Sequence, residues 1–155
     1  MALHAVNRIF AGVATLRRRL AANQRDEDAL FSLSQHYSVR GQALADALTQ
    51  VAPESFRAIQ LKATAAEYAG DLATAEQFYR AVLSNRPRLH GIHYSLGHVL
   101  TQLGRDKEAE ERFQLELEND PLHYLAWFEL GTSKLKRGNF AGARKSLTQI
   151  SDTNL

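Results

Sequence analysis

Four residue tracks in this chain return at a fixed interval of 34 residues. Prolines stand at Pro53, Pro87 and Pro121, and glycines at Gly70, Gly104 and Gly138. Alanines stand at Ala75, Ala109 and Ala143, and a second small-residue track runs Ala63, Gly97, Gly131. Single glycines and prolines fall anywhere, but four tracks in one phase specify a stack of equal structural units. The same feature bounds function. A stack of helical repeats offers a long surface for binding and seldom an enclosed catalytic centre.

Each track has a local physical meaning. The chain is rich in Ala, Leu, Glu, Arg and Gln and has only three prolines, which favours helix over most of its length. His93, Leu96, Leu100 and Leu103 follow helical periodicity, as do Trp127 and Leu130. Gly70, Gly104 and Gly138 each sit where one helix must stop and the chain reverse. A second helix follows, and in two of the units it ends before a proline, which cannot continue a helix. Asp71 and Asn139 follow their glycines and are positioned to cap those second helices. Three units of equal length result, 54–87, 88–121 and 122–155, preceded by an N-terminal segment, 1–53.

The totals exclude several function classes. Among 155 residues there is no cysteine, so disulfides, zinc–thiolate sites and thiol nucleophiles are ruled out. A net charge of +2 is too mild to demand an anionic partner. No apolar run approaches the roughly 18 residues that span a bilayer, and the start lacks a charged-then-apolar leader layout. The chain is expected to be cytoplasmic, although the same sequence suits a periplasmic protein or a piece of a longer one. No cofactor is expected. His90, His93 and His98 lie close in sequence, but only the first two share a helix face, and no cysteine or nearby carboxylate completes a metal shell. Arg17-Arg18-Arg19 points around most of a helix and forms no stripe, so nucleic acid is not expected as a partner. No nucleophile motif, phosphate loop or paired-carboxylate arrangement stands out, and the chain is not expected to be an enzyme.

Aligned on their landmarks, the units resemble the tetratricopeptide repeat family. That pattern is an aromatic, then Leu-Gly three residues on, then Ala, a bulky residue four later, and a closing Pro. The third unit has Trp127, Leu130, Gly131, Ala143 and Leu147; the second has His93, Leu96, Gly97, Ala109, Phe113 and Pro121; the first has Ile59, Ala63, Ala75, Tyr79 and Pro87. The small residues let the two helices of a unit approach, and Tyr79, Phe113 and Leu147 are the knobs that fill the gap towards the next unit. Lys62, Asp106, Glu116 and Lys134 depart from the pattern at positions that are normally apolar, small or aromatic. The resemblance implies an all-α, right-handed superhelical α-solenoid of about eight helices.

Residues 1–53 read as an N-terminal helix through Val6, Val13, Leu16 and Leu20, followed by a shortened, worn unit. Asp26-Glu27-Asp28 marks a helix start, Leu30, Phe31, Leu33 and Tyr37 give one face, and Gly41 is expected to break the helix. Ala43, Leu44, Leu48 and Val51 then give a second face that ends at Pro53.

By the same resemblance the first helix of each unit lines a concave groove. Its lining is expected to comprise Arg57, Gln60, Thr64 and Tyr68 in the first unit and Tyr94, His98 and Thr101 in the second. The third unit contributes Phe128, Thr132 and Lys136, and the worn unit Phe31 and Gln35. Rings supply rigid apolar area, and amides and hydroxyls serve a partner's backbone. Thr64, His98 and Thr132 stand where the family's chaperone clamps carry asparagine, so capture of a C-terminal carboxylate tail is not expected. The function so implied is a protein-interaction scaffold holding a peptide or a partner's helix. The alternatives are self-assembly through exposed end repeats, giving a homo-oligomer, and the targeting segment of a larger enzyme such as a transferase.

Overall fold

A computed structural model of the chain describes the backbone of residues 2–152 and the side chains of 11–150. Among the described residues there are eight α-helices and no strand: α1 (Ala2–Ala22), α2 (Glu27–Val51), α3 (Phe56–Tyr68), α4 (Leu72–Asn85), α5 (Ile92–Gln102), α6 (Asp106–Asn119), α7 (Tyr124–Lys136) and α8 (Phe140–Asp152). They form two compact units, Met1–Val51 and Ala52–Leu155.

In the second unit α3/α4, α5/α6 and α7/α8 are pairs joined by tight reversals. Gly70, Gly104 and Gly138 have φ of +78°, +74° and +73°, a left-handed backbone that glycine adopts without a Cβ penalty. The amide after each glycine donates five residues back: Asp71 to the Ala66 carbonyl, Arg105 to Leu100 and Asn139 to Lys134, all at 2.9 Å. This is one helix-ending motif made three times, with the expected glycine in each.

The second helices then start as the sequence suggests at two of three places. Asp71 Oδ1 accepts from the Thr74 amide at 3.1 Å, and Asn139 Oδ1 from the Gly142 amide at 2.9 Å. Arg105 stands at the same position of α6 and makes no side-chain cap. Its guanidinium instead reaches Glu76 at 2.8 Å and Glu108 at 2.6 Å, tying α6 to α4. Burial opposes ionisation of Glu76, but Arg80 and Arg105 overcome it and hold the carboxyl below the usual carboxylate range.

Each closing proline carbonyl is latched by the following helix. Trp127 Nε1 donates to the Pro121 carbonyl and His93 Nε2 to the Pro87 carbonyl, both at 2.9 Å. The first repeat has Ile59 at that position and no ring donor. Lys62, one turn further along, donates its ammonium to the Pro53 carbonyl at 3.2 Å. Two of the departures from the repeat pattern therefore have structural partners, since Lys134 likewise donates to Ser146 Oγ at 2.8 Å.

The core runs along the stack. Ala63, Ala75, Tyr79, Leu96, Leu100, Ala109, Phe113 and Leu130 are all buried. The small-residue track is required by close approach. A Cβ on Gly97 would lie 2.5 Å from the Phe113 ring, and one on Gly131 2.6 Å from Leu147. Substantial packing joins each helix to its sequence neighbour only, α3 to α4 through to α7 to α8.

The first unit is a pair of longer helices. Asp26 Oδ1 accepts from the Ala29 amide at 3.0 Å and caps α2, while Arg19 holds the same carboxylate at 2.8 Å. Arg17 donates to the Tyr37 hydroxyl at 2.7 Å, joining α1 to α2. The break expected at Gly41 does not occur, and α2 passes through it without interruption. An interior glycine costs a helix only about 1 kcal/mol against alanine, and Gly41 is not among the positive-φ glycines that reverse the chain elsewhere. Of the described side chains in this unit only Ala29 and Leu33 are buried. Those of Val6, Ile9 and Phe10 lie outside the described ones.

Candidate interaction surface

The groove residues expected in the second unit lie on α3, α5 and α7, and the structure joins some of them into one polar network. Glu67 of α3 is its hub. Tyr79 of α4 donates its hydroxyl to Glu67 Oε2 at 2.7 Å, and His98 of α5 donates Nδ1–H to Glu67 Oε1 at 2.8 Å. Thr64 Oγ1 lies 3.4 Å from the Tyr79 hydroxyl. Glu67 thus bridges two repeats. Desolvation is the main reason the Tyr79 phenol is pushed up to about 12, with the Glu67 carboxylate adding to it.

A pH dependence follows. The folded Tyr79 holds its proton beyond the pH at which a free phenol, near 10, loses it. Its contribution to stability is fully present below that value and is lost as pH rises towards about 12. Absorbance titration at 295 nm is expected to resolve one late tyrosine that Tyr79→Phe removes. A Tyr79→Phe titration identical to wild type would contradict this assignment.

Tyr94, expected in the groove lining, makes three ring contacts. Its ring stacks on His98 with centroids 6.3 Å apart and planes 16° from parallel, and it packs on His123 at 4.8 Å and Phe113 at 5.9 Å. It is half-buried and leans into the joint between repeats. Phe128, its counterpart one repeat later, is 50% exposed, and Tyr68 is 90% exposed. Thr64 and Thr101 turn their hydroxyls back onto the Gln60 and Gly97 carbonyls of their own helices. Arg57 donates to Gln60 at 2.9 Å. Lys136 and Thr132 border a closed joint with Glu129 and Glu110, and Ser133 and Arg137 both bond the Glu110 carboxylate across it. Phe31 and Gln35 are exposed on α2, in the other unit.

Glu116, noted in the sequence only as a departure from the repeat pattern, has a structural role that the pattern does not show. Glu116 is fully buried on α6. Ser55 caps α3 through the Ala58 amide and His123 caps α7 through the Ala126 amide, but the equivalent residue for α5 is Leu89, which has no acceptor. Helix α5 accordingly starts later in its repeat, after Gly91 at φ +81°. Glu116 supplies the missing acceptor from outside, taking the Gly91 amide at 2.7 Å and the Tyr94 amide at 3.2 Å. Its signal in the sequence is an acid at a phase where Val82 and Ile150 stand in the neighbouring repeats. His90 Nε2 closes the arrangement by donating to Asp120 at 2.7 Å. The three nearby histidines go to three separate partners, Asp120, the Pro87 carbonyl and Glu67. Among the described residues no helix is long and apolar enough to cross a membrane.

Comparison with known proteins agrees with this architecture. No curated protein sequence matches the chain. Among solved structures, the crystal structure of MamA superposes with a TM-score of 0.66 at 16% identity, covering 92% of this chain and 86% of that one. The MamA RS-1 ArsTM double mutant gives 0.65 at 16% identity, covering 92% and 83%. A further MamA structure, MSR-1 C2, gives 0.61 at 19% identity, covering 97% and 89%. At these identities the likeness concerns the fold. The tetratricopeptide repeat family model matches residues 61–124 and again 94–151, together more than half of the sequence. The protein belongs to the tetratricopeptide repeat family.

Proposed function

We propose that the Ala52–Leu155 unit is a protein-interaction scaffold that holds a peptide or a partner's helix against the face formed by α3, α5 and α7. The observation that carries this reading is the contrast between held and free side chains on that face. Glu67, His98 and Tyr79 are locked to one another, which makes the floor rigid. Tyr68 on α3 and Phe128 on α7 remain exposed, as do Leu125 and Leu135 on α7. Rigid aromatic anchors next to fixed polar groups are the usual composition of a protein hot spot. The reading assigns no catalysis to the chain.

The exposed rings are the residues to test. Tyr94 is half-buried, and its removal would damage packing as well as binding. Phe128→Ala combined with Tyr68→Ala changes exposed rings only. We expect this double variant to keep wild-type helical dichroism and to bind the native partner, captured from the source cells, at least about 30-fold more weakly, since a single hot-spot aromatic contributes about 2 kcal/mol or more and each 1.4 kcal/mol is about tenfold. Equal recovery by the folded double variant would remove this face from the account.

A further inference from the structure

The second helices carry two cavities that are one cavity repeated. The first, of about 570 Å³ between α4 and α6, has His93 and Leu96 of α5 in its lining, with Arg80 and Arg112. The second, of about 470 Å³ between α6 and α8, has Trp127 and Leu130 of α7 in the same places, with Gln114 and Ser146. Each residue of the second set lies 34 positions after its counterpart in the first. The second cavity therefore shows what the site looks like in its plain form.

In that plain form the polar groups are paired. The one ring nitrogen of Trp127 donates to the Pro121 carbonyl, and Ser146 accepts from Lys134. The first cavity differs at both positions. His93 makes the same latch by donating Nε2–H to the Pro87 carbonyl, which in the neutral ring leaves Nδ1 as a lone-pair acceptor. Among the described residues, His93 Nδ1 and Arg112 Nε are buried polar side-chain atoms with no hydrogen-bond partner. Buried polar atoms are nearly always paired, and leaving one unpaired is expensive. His93 as a whole is only 7% exposed. Arg88 also lines this cavity and forms no ion pair among the described residues, whereas Arg80 is engaged by Glu76 and Glu108. Glu118 is the one acid in the lining, and Leu83 and Leu96 are apolar.

These groups narrow the ligand. A lone-pair acceptor needs a donor, and two uncommitted guanidiniums need an anion. A sulfate would suit the arginines and leave His93 Nδ1 unserved, and a phosphate, whose O–H could serve it, would leave Leu83 and Leu96 without an apolar partner. An ammonium would suit His93 and be repelled by the arginines. We propose that the cavity between α4 and α6 binds a carboxylate that brings its own N–H, an Asp or Glu residue of a partner segment. The amide donates to His93 Nδ1, the carboxylate accepts from Arg112 and Arg88, and the methylenes lie on Leu83 and Leu96. The site opens between α4 and α6, with His93 and Leu96 reaching it from α5, and it uses none of the exposed rings of the α3/α5/α7 face.

The test uses the full chain, labelled for nitrogen NMR of the imidazole and guanidine groups. Three probes are titrated at constant ionic strength: N-acetyl-glutamate methylamide, its glutamine analogue, and acetate. We expect the glutamate probe to give a saturable shift of His93 Nδ1 and Arg112 Nε, with the glutamine analogue and acetate at least tenfold weaker. Arg88→Ala, at an exposed residue, is expected to weaken the response about tenfold. His93→Trp and Arg112→Ser, which copy the sister cavity, are expected to abolish the shift at the group that remains. Acetate acting as well as the glutamate probe would reduce the site to a general anion hole. No saturable shift, or unchanged binding in Arg88→Ala and Arg112→Ser, would overturn the proposal outright.

Discussion

Replacing Glu116 by valine, the residue at the same phase one repeat earlier, is expected to destabilise the Ala52–Leu155 unit by about 3 kcal/mol. The valine restores an apolar side chain where the repeat pattern wants one, so a reading based on hydrophobicity alone predicts stabilisation. The structure predicts the opposite sign. Glu116 is the acceptor for the Gly91 and Tyr94 amides at the start of α5. A hydrogen bond to a charged acceptor contributes about 1.5–3 kcal/mol, and stranding the donors adds their desolvation cost. Glu116→Gln keeps one carbonyl acceptor and is expected to lose about half as much. Urea unfolding followed by far-ultraviolet dichroism gives both numbers. A valine variant as stable as wild type would show that water serves these amides equally well.

Phe113→Ala is expected to cost about 4 kcal/mol, the usual range for emptying a buried aromatic site. Phe113 is buried, touches Tyr94, and lies over Gly97 so closely that an added methyl would overlap its ring. Gly97→Ala should therefore destabilise by about 1–3 kcal/mol through overpacking, despite alanine's better helix propensity. The two effects are coupled. In the last repeat Leu147 faces Gly131 in the same arrangement. Pairing Gly97→Ala with Phe113→Leu should then lose less stability than the two single changes added together, because the smaller leucine yields room for the methyl. Strict additivity in the double-variant cycle would mean that the contact between residues 97 and 113 carries no energy.

The 34-residue phase made the second unit readable because each landmark has one local cause. Gly70, Gly104 and Gly138 reverse the chain, Asp71 and Asn139 cap, and Gly97 and Gly131 admit their knobs. Gly41 misled for the opposite reason. A glycine in isolation does not say whether its φ is positive, and nothing in phase with it decided the matter. At the surface, helical spacing placed Tyr94, His98 and Phe128 on the right helices, but not the depth of each ring. Tyr94 leans inward because Phe113 and His123 surround it, and those neighbours come from another helix and a loop. Glu67 and Glu116 were legible as acids on helices and illegible as hubs. Their importance depends on what lies opposite: His98 and Tyr79 for the first, an uncapped helix start for the second.

The packing of each helix chiefly against its sequence neighbours has a mechanical corollary. Loads applied at the two ends of the Ala52–Leu155 unit pass through its joints in series, so the total extension is the sum of small rotations, one per joint. The joint tied by Arg105 to Glu76 and by His98 to Glu67 hangs on two separate carboxylates, whereas at the next one Ser133 and Arg137 share the single carboxylate of Glu110. The former should be the stiffest element, and strain would collect elsewhere along the spring.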